Sequence, residues 1–202
     1  MSSKKRCIII YSEGETDSEF YNSVLTKTKD KYEISQFNAD AIIKKCLRGI
    51  TKFDKKLLKK FEYEIMPKYG DYEIIVFLCY DTDVFDYSSK PPVDWKNVES
   101  ELKKMGAYKV IHVKAERCIE DVFLIDIEGI CNFLKIKKVN NVIGQNGVEK
   151  MQNLFNKGNR VYQKGYSCEG LIESLNMEKI CEKSKKMLEP FIKEFLPNNK
   201  KD

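Results

Sequence analysis

The run Glu73–Tyr80 (EIIVFLCY) is apolar at every position but the first. A strand with one face in water alternates polar and apolar residues, whereas one covered on both faces has no reason to. This run therefore reads as the middle of a parallel sheet, which needs helical crossovers between its strands and helices on both faces. The rest of the chain supplies them. Cys7–Ser12 (CIIIYS) reads as a second buried strand, Tyr32–Phe37 as a third and Tyr108–Val113 as a fourth. Between them lie a helix over Asp17–Lys27 capped by Thr16, a lysine-rich helical stretch over Ala39–Pro67 broken near Gly49, and a helix over Asp94–Met105. Beyond Lys114 the pattern turns helical, with short pieces at Ile119–Ile125, Ile130–Leu134, Val148–Phe155 and Leu171–Leu175, and a longer one over Met177–Phe195. The expectation is an α/β, Rossmann-like protein. A mostly parallel sheet flanked by helices occupies residues 1–126, and a helical C-terminal extension, residues 127–202, packs on it.

Composition narrows the chemistry. The chain has 36 Lys and Arg against 31 Asp and Glu, a net charge of +5 that permits a nucleic-acid partner without requiring one. The lysine doublets, Lys55-Lys56 and Lys59-Lys60 among them, read as solvated helix faces. The single histidine, His112, argues against Ser-His-Asp hydrolysis and histidine-rich zinc sites. The seven cysteines never occur as CxxC and read as reduced, buried thiols. No apolar run approaches the roughly 20 residues of a membrane span, and Cys7–Tyr11 is too short for the core of a signal peptide. A cytoplasmic protein with no membrane association is expected. Its chemistry must come from carboxylates, lysines or a cofactor.

Sites in open parallel sheets form beyond the carboxyl ends of the strands. Two of the expected strands end in acid clusters. The first runs into Glu13, with Glu15, Asp17 and Glu19 behind it. The central one ends in Asp81-Thr82-Asp83, with Asp86 beyond. If the two strands are neighbours, Glu13, Asp81 and Asp83 meet in one crevice. Crowded carboxylates repel one another and raise each other's pKa, and a divalent cation relieves that conflict. Hard oxygen ligands of this kind suit Mg²⁺ or Mn²⁺. The structural alternative is that these acids serve helix N-termini and turns.

The same residues resemble a known family. Ile8-Ile9-Ile10-Tyr11-Ser12-Glu13-Gly14-Glu15-Thr16-Asp17 resembles the first Toprim motif, a hydrophobic strand followed by Glu-Gly. Val76-Phe77-Leu78-Cys79-Tyr80-Asp81-Thr82-Asp83 resembles the second, a hydrophobic strand ending in Asp-x-Asp. Cys118-Ile119-Glu120-Asp121-Val122-Phe123-Leu124 is similar to a segment of RloB-like and other defence-associated Toprim proteins. The likeness covers residues 7–115. It implies a nuclease of the RloB-like or OLD-type kind, cutting phosphodiester bonds in DNA or RNA as the effector of a phage-defence system. It implies Glu13 as general acid/base, Asp81 and Asp83 as Mg²⁺ ligands, and further metal contacts from Asp17 and Glu120. The long lysine-rich interval between the motifs departs from the family pattern. No G-x-x-x-x-G-K-[ST] occurs, so an ATPase partner, as in OLD-type systems, would be a separate chain.

Basic residues complete the expected site. Lys114 and Arg117 follow the fourth strand, where a cation could steady a phosphoryl transition state. Arg160, Tyr162 and Lys164, in a segment rich in basic, aromatic and glycine residues, could hold a phosphate backbone and stack a base. The apolar stripe from Leu171 to Phe195 reads as core or as the face of a homo-oligomer. Two alternatives stand beside the nuclease: a non-catalytic or partner-activated Toprim-like regulatory subunit, and a haloacid-dehalogenase-like phosphatase using Asp81 as nucleophile.

Overall fold

In the computed structural model, which describes residues 4–83 and 91–197, four strands form one parallel sheet in the order β2-β1-β3-β4. They are β1 (Arg6–Ser12), β2 (Ala41–Cys46), β3 (Glu73–Asp81) and β4 (Ala107–Ala115). The chain is α/β and Rossmann-like: helix α1 (Glu15–Tyr32) joins β1 to β2, and α4 (Trp95–Lys104) precedes β4. Between β2 and β3 run a short 3₁₀ turn (Ile50–Phe53), α2 (Lys55–Lys60), a widened π turn (Phe61–Ile65) and α3 (Met66–Tyr69). After β4 come α5 (Ile119–Phe123), α6 (Ile127–Leu134), α7 (Gly147–Lys157), α8 (Leu171–Ser174), α9 (Met177–Lys183) and α10 (Lys185–Phe195). Among the described residues no helix is long and apolar enough to cross a membrane.

The two-residue period of the strands divides the core. Ile8, Ile10, Ile75, Phe77 and Cys79 point to one face, where they pack with Phe20, Tyr21 and Val24 of α1 and with Leu188, Phe191 and Phe195 of α10. Cys7, Ile9, Tyr11, Val76 and Leu78 point to the other, against Phe53, Leu57, Phe61, Val98 and Leu102. β3 is buried on both sides along nearly its whole length, which is why its sequence shows no alternation.

The third expected strand lies elsewhere. Tyr32 ends α1 rather than opening a strand, and Glu33, in the left-handed region at φ 49°, stops the helix. The strand is Ala41–Cys46 (AIIKKC), at the start of the stretch expected to be helical. It is an edge strand with a partly exposed face, and its consecutive lysines blur the alternation that would have marked it. Tertiary contacts hold it in place: Asp40 exchanges backbone and side-chain hydrogen bonds with Arg6, and the Lys45 ammonium pairs with Glu64 at 2.6 Å. Thr16 is not the cap of α1 either. Gly14 occupies that position, and Thr16 donates its hydroxyl to the Tyr166 carbonyl. The expected helix over Met177–Phe195 divides at Ser184 into α9 and α10. Asp86 and the residues after Pro197 lie outside the described residues.

The C-terminal helix shares its aromatic cluster with the sheet. The Phe191 ring sits 4.9 Å from that of Phe77, 5.2 Å from Tyr21 and 5.0 Å from Phe195, centroid to centroid. Emptying that site removes contacts from three elements at once. Phe191→Ala should lower unfolding free energy by about 3–5 kcal/mol in urea denaturation. A loss under about 1 kcal/mol would show that α10 adds little to this core.

Candidate functional site

Strand order reverses between β1 and β3: the chain moves outward from β1 to β2 and then returns to the far side of β1 for β3. In such a sheet the loops leaving the two central strands part in opposite directions and open a crevice at their carboxyl ends. β1 and β3 pair in parallel with Ser12 opposite Cys79, which carries Glu13 alongside Tyr80 and within reach of the Asp81 amide.

Asp81 organises this end of the molecule. It is 3% exposed. Its amide donates to Glu13 Oε1 at 3.0 Å, its Oδ1 accepts the Ile119 amide at 2.9 Å, and its Oδ2 faces the Lys164 ammonium at 2.7 Å. One residue thus ties β3 to the end of β1, to α5 and to the segment between α7 and α8. Thr82 and Asp83 both donate their amides to the Arg117 carbonyl, and the Asp83 carboxylate reaches Lys164 at 3.2 Å.

Two more acids line the crevice. Asp17, 7% exposed, accepts the Gly14 amide at 3.0 Å. Glu120, fully buried, accepts the Tyr162 hydroxyl at 2.8 Å, while its Oε2 has no partner. Asp83 Oδ1 is buried and unpartnered too. Burial pushes the Glu13 carboxyl up to about 7 against the pull of the Asp81 amide. Burial likewise raises Asp17 to about 6, with the Glu120 charge adding to it. It raises Asp81 as well, opposed by the Lys164 ammonium. Burial disfavours the charge on Lys164, but Asp81 outweighs that and holds its pKa above the ordinary value.

Lys164 reaches the crevice on a strap anchored to the first turn of α1. The Glu15 amide donates to the Gly165 carbonyl at 3.1 Å, Thr16 to the Tyr166 carbonyl, and the Ser167 amide to Glu15. Gly14 permits the approach: a Cβ there would lie 2.8 Å from the Gly165 Cα, closer than packed carbons come.

The structure gathers Glu13, Asp17, Asp81, Asp83, Glu120 and Lys164 at one place. It does not gather the other expected residues there. Lys114 is exposed, and its register opposite Tyr80 turns it to the face away from Asp81. Arg117 pairs with Asp121 at 3.5 Å and donates to the Gln145 carbonyl. The Arg160 guanidinium lies 4.5 Å over the Phe133 ring. Tyr162, expected to stack a base, is 5% exposed and packs on Phe155. Its role here is to support Glu120, a role the sequence could not signal because the two are 42 residues apart.

The donor set fits a hard divalent cation: five carboxylates face one ammonium, and two buried oxygens lack any partner. As the side chains stand, no three Asp, Glu, His or Cys groups among the described residues are gathered so that they could hold a metal ion. The Lys164 ammonium lies against Asp81 and Asp83 instead. Ligation by that pair therefore requires the ammonium to withdraw or the carboxylates to turn toward Glu13. Comparison with models of known families, with curated proteins and with solved structures returns no match.

The raised carboxyls have a measurable sign. Glu13 binds its proton more tightly folded, near 7, than at its ordinary 4.5. Between those values the native state holds more protons than the unfolded chain, so this contribution to stability falls as pH rises and levels off above about 7. The stability of wild type relative to Glu13→Gln should drop across that window, by at most about 1.4 kcal/mol per pH unit. Urea midpoints measured from pH 4.5 to 8 check it, and a difference that stays flat or grows with pH contradicts the burial of Glu13.

Proposed function

We propose that this chain is a Mg²⁺- or Mn²⁺-dependent nuclease of Toprim type that cleaves phosphodiester bonds in DNA or RNA. The observation that carries the reading is the convergence of Glu13, Asp17, Asp81, Asp83 and Glu120 at the switch point of the sheet, with more negative charge than Lys164 can balance. Asp81 and Asp83 would hold one ion, and Asp17 with Glu120 a second, which leaves Glu13 Oε2 to carry a proton. A bound ion would polarise a phosphate oxygen and lower the pKa of a water.

The remaining work falls to the protein's own groups. Glu13, with a carboxyl near 7, can take or return a proton at Oε2 close to neutral pH while Oε1 stays on the Asp81 amide. Lys164 is the cation within reach of charge developing on a phosphoryl group, a part the sequence assigned to Lys114 or Arg117. The buried Tyr162 hydroxyl orients Glu120. The RloB-like and OLD-type resemblance supports a role in phage defence with a separate ATPase chain.

A second reading has its own observation. Lys164 already lies against Asp81 and Asp83, which suits a partner-activated or regulatory subunit whose acids are engaged only after the strap shifts.

Cleavage of labelled DNA and RNA with Mg²⁺ or Mn²⁺ separates the two. Under the nuclease reading, wild type cuts and both Glu13→Gln and Asp81→Asn slow cutting by about 100-fold or more. Calorimetric titration with Mn²⁺ should show binding to wild type and weaker binding to Asp81→Asn. Metal binding without cutting moves the reading to the partner-activated subunit, and the absence of both rejects the metal site.

A further inference from the structure

The fold concentrates positive charge beside the acid crevice. Residues 44–60 contain eight Lys or Arg and one Asp, a net of +7, whereas the whole chain carries +5, so the other 185 residues sum to −2. The excess of the entire protein therefore lies in one segment, running from the end of β2 through α2.

That segment is built against the crevice. The Leu47 amide donates to the Ser12 carbonyl at 2.9 Å and the Gly49 amide to the Glu13 carbonyl at 3.1 Å. The Lys56 ammonium in turn bonds the Leu47 carbonyl at 2.9 Å. Phe53, Leu57, Phe61 and Ile65 bury the inner side of the α2 segment under the sheet, which turns its lysines outward. There Lys55, Lys56, Lys59 and Lys60 line a groove of about 420 Å³ with Tyr63 and Glu64.

The charges in the groove are only partly balanced. Glu64 takes Lys45 at 2.6 Å and Lys60 at 2.8 Å. Lys56 holds a neutral carbonyl, and Lys55 and Lys59 make no ion pair or hydrogen bond among the described residues. Three uncompensated ammonium groups thus line the groove with Tyr63, which is 69% exposed. An exposed aromatic ring amid such charge is the arrangement that stacks an unpaired base while the cations follow its backbone.

We propose that this groove binds a single-stranded nucleic acid, with Lys55, Lys56 and Lys59 on successive phosphates and Tyr63 under a base, and leads the strand into the acid crevice. The proposal rests on the nuclease reading for the identity of the ligand, and it assigns that enzyme a strand-guiding surface separate from the metal-facing acids. An acidic protein partner is the competing occupant.

The test is binding of a fluorescent 20-nucleotide single strand by the full chain, followed by anisotropy in EDTA over a range of salt so that cutting plays no part. Each lysine that meets a phosphate contributes about 0.7 to the slope of log K against log salt. Replacing Lys55, Lys56 and Lys59 by Gln should lower that slope by about 2, and the Lys55→Gln, Lys59→Gln pair by about two thirds as much. Tyr63→Ala should weaken binding about tenfold at an unchanged slope. These residues are exposed and circular dichroism checks that the variants fold. No binding by wild type, or an unchanged slope in a folded triple variant, overturns the proposal in favour of a different occupant. The outcome is independent of catalysis: a protein that binds through these lysines yet never cuts keeps the groove and loses the nuclease. One that cuts with an unchanged slope does the reverse.

Discussion

A buried carboxylate must be satisfied from every side, and Asp81 meets that demand by drawing four parts of the chain together. Its amide secures Glu13, one oxygen accepts the first amide of α5, and the other takes the Lys164 ammonium. Removing water from such a group costs several kcal/mol unless partners replace it. The conformations of the β1–α1 turn, the start of α5 and the strap between α7 and α8 are therefore mutually dependent. The C-terminal helices are drawn into the same arrangement from the other direction, through the aromatic cluster of Phe77, Phe191 and Phe195.

The crevice is electrostatically unfinished. Burial raises Glu13, Asp17 and Asp81 together, and Lys164 answers only part of the repulsion. Such a cluster is poised to take up either protons or a cation, and both responses run through the same oxygens. Lys164 holds a dual position in this balance. It stabilises the acids in the form described here and stands directly against Asp81 and Asp83. The strap that carries it is fixed to α1 by backbone bonds, and Gly14 lets it lie that close. The charge of the crevice and the packing of the strap are therefore coupled.

The basic segment and the acid crevice are adjacent because β2 and β1 are. The hydrogen bonds from Leu47 and Gly49 to the end of β1 set the lysine-rich helix beside the mouth of the site rather than elsewhere on the surface. Opposite charges segregated into neighbouring zones give a local field that the modest net charge conceals.

The apolar runs Cys7–Ser12 and Glu73–Tyr80 determined two central parallel strands, and the acids at their ends announced Glu13, Asp81 and Asp83 as a group. Those signals are local: a strand buried on both faces cannot hide its composition, and strand ends are where such folds keep their sites. The edge strand Ala41–Cys46 was not legible, because an edge needs apolar residues on one side only and its lysines imitate a helix. Nor were the roles of Lys164 and Tyr162, which depend on a strap crossing the molecule to residues 81 and 120. The lysines of α2 form the solvated face that their doublets suggested, and only the sheet order sets that face beside the acids. Periodicity and composition report what each segment must bury. Only the tertiary structure decides which distant charges meet, because that follows from strand order and from the need of each buried polar group to find its partner.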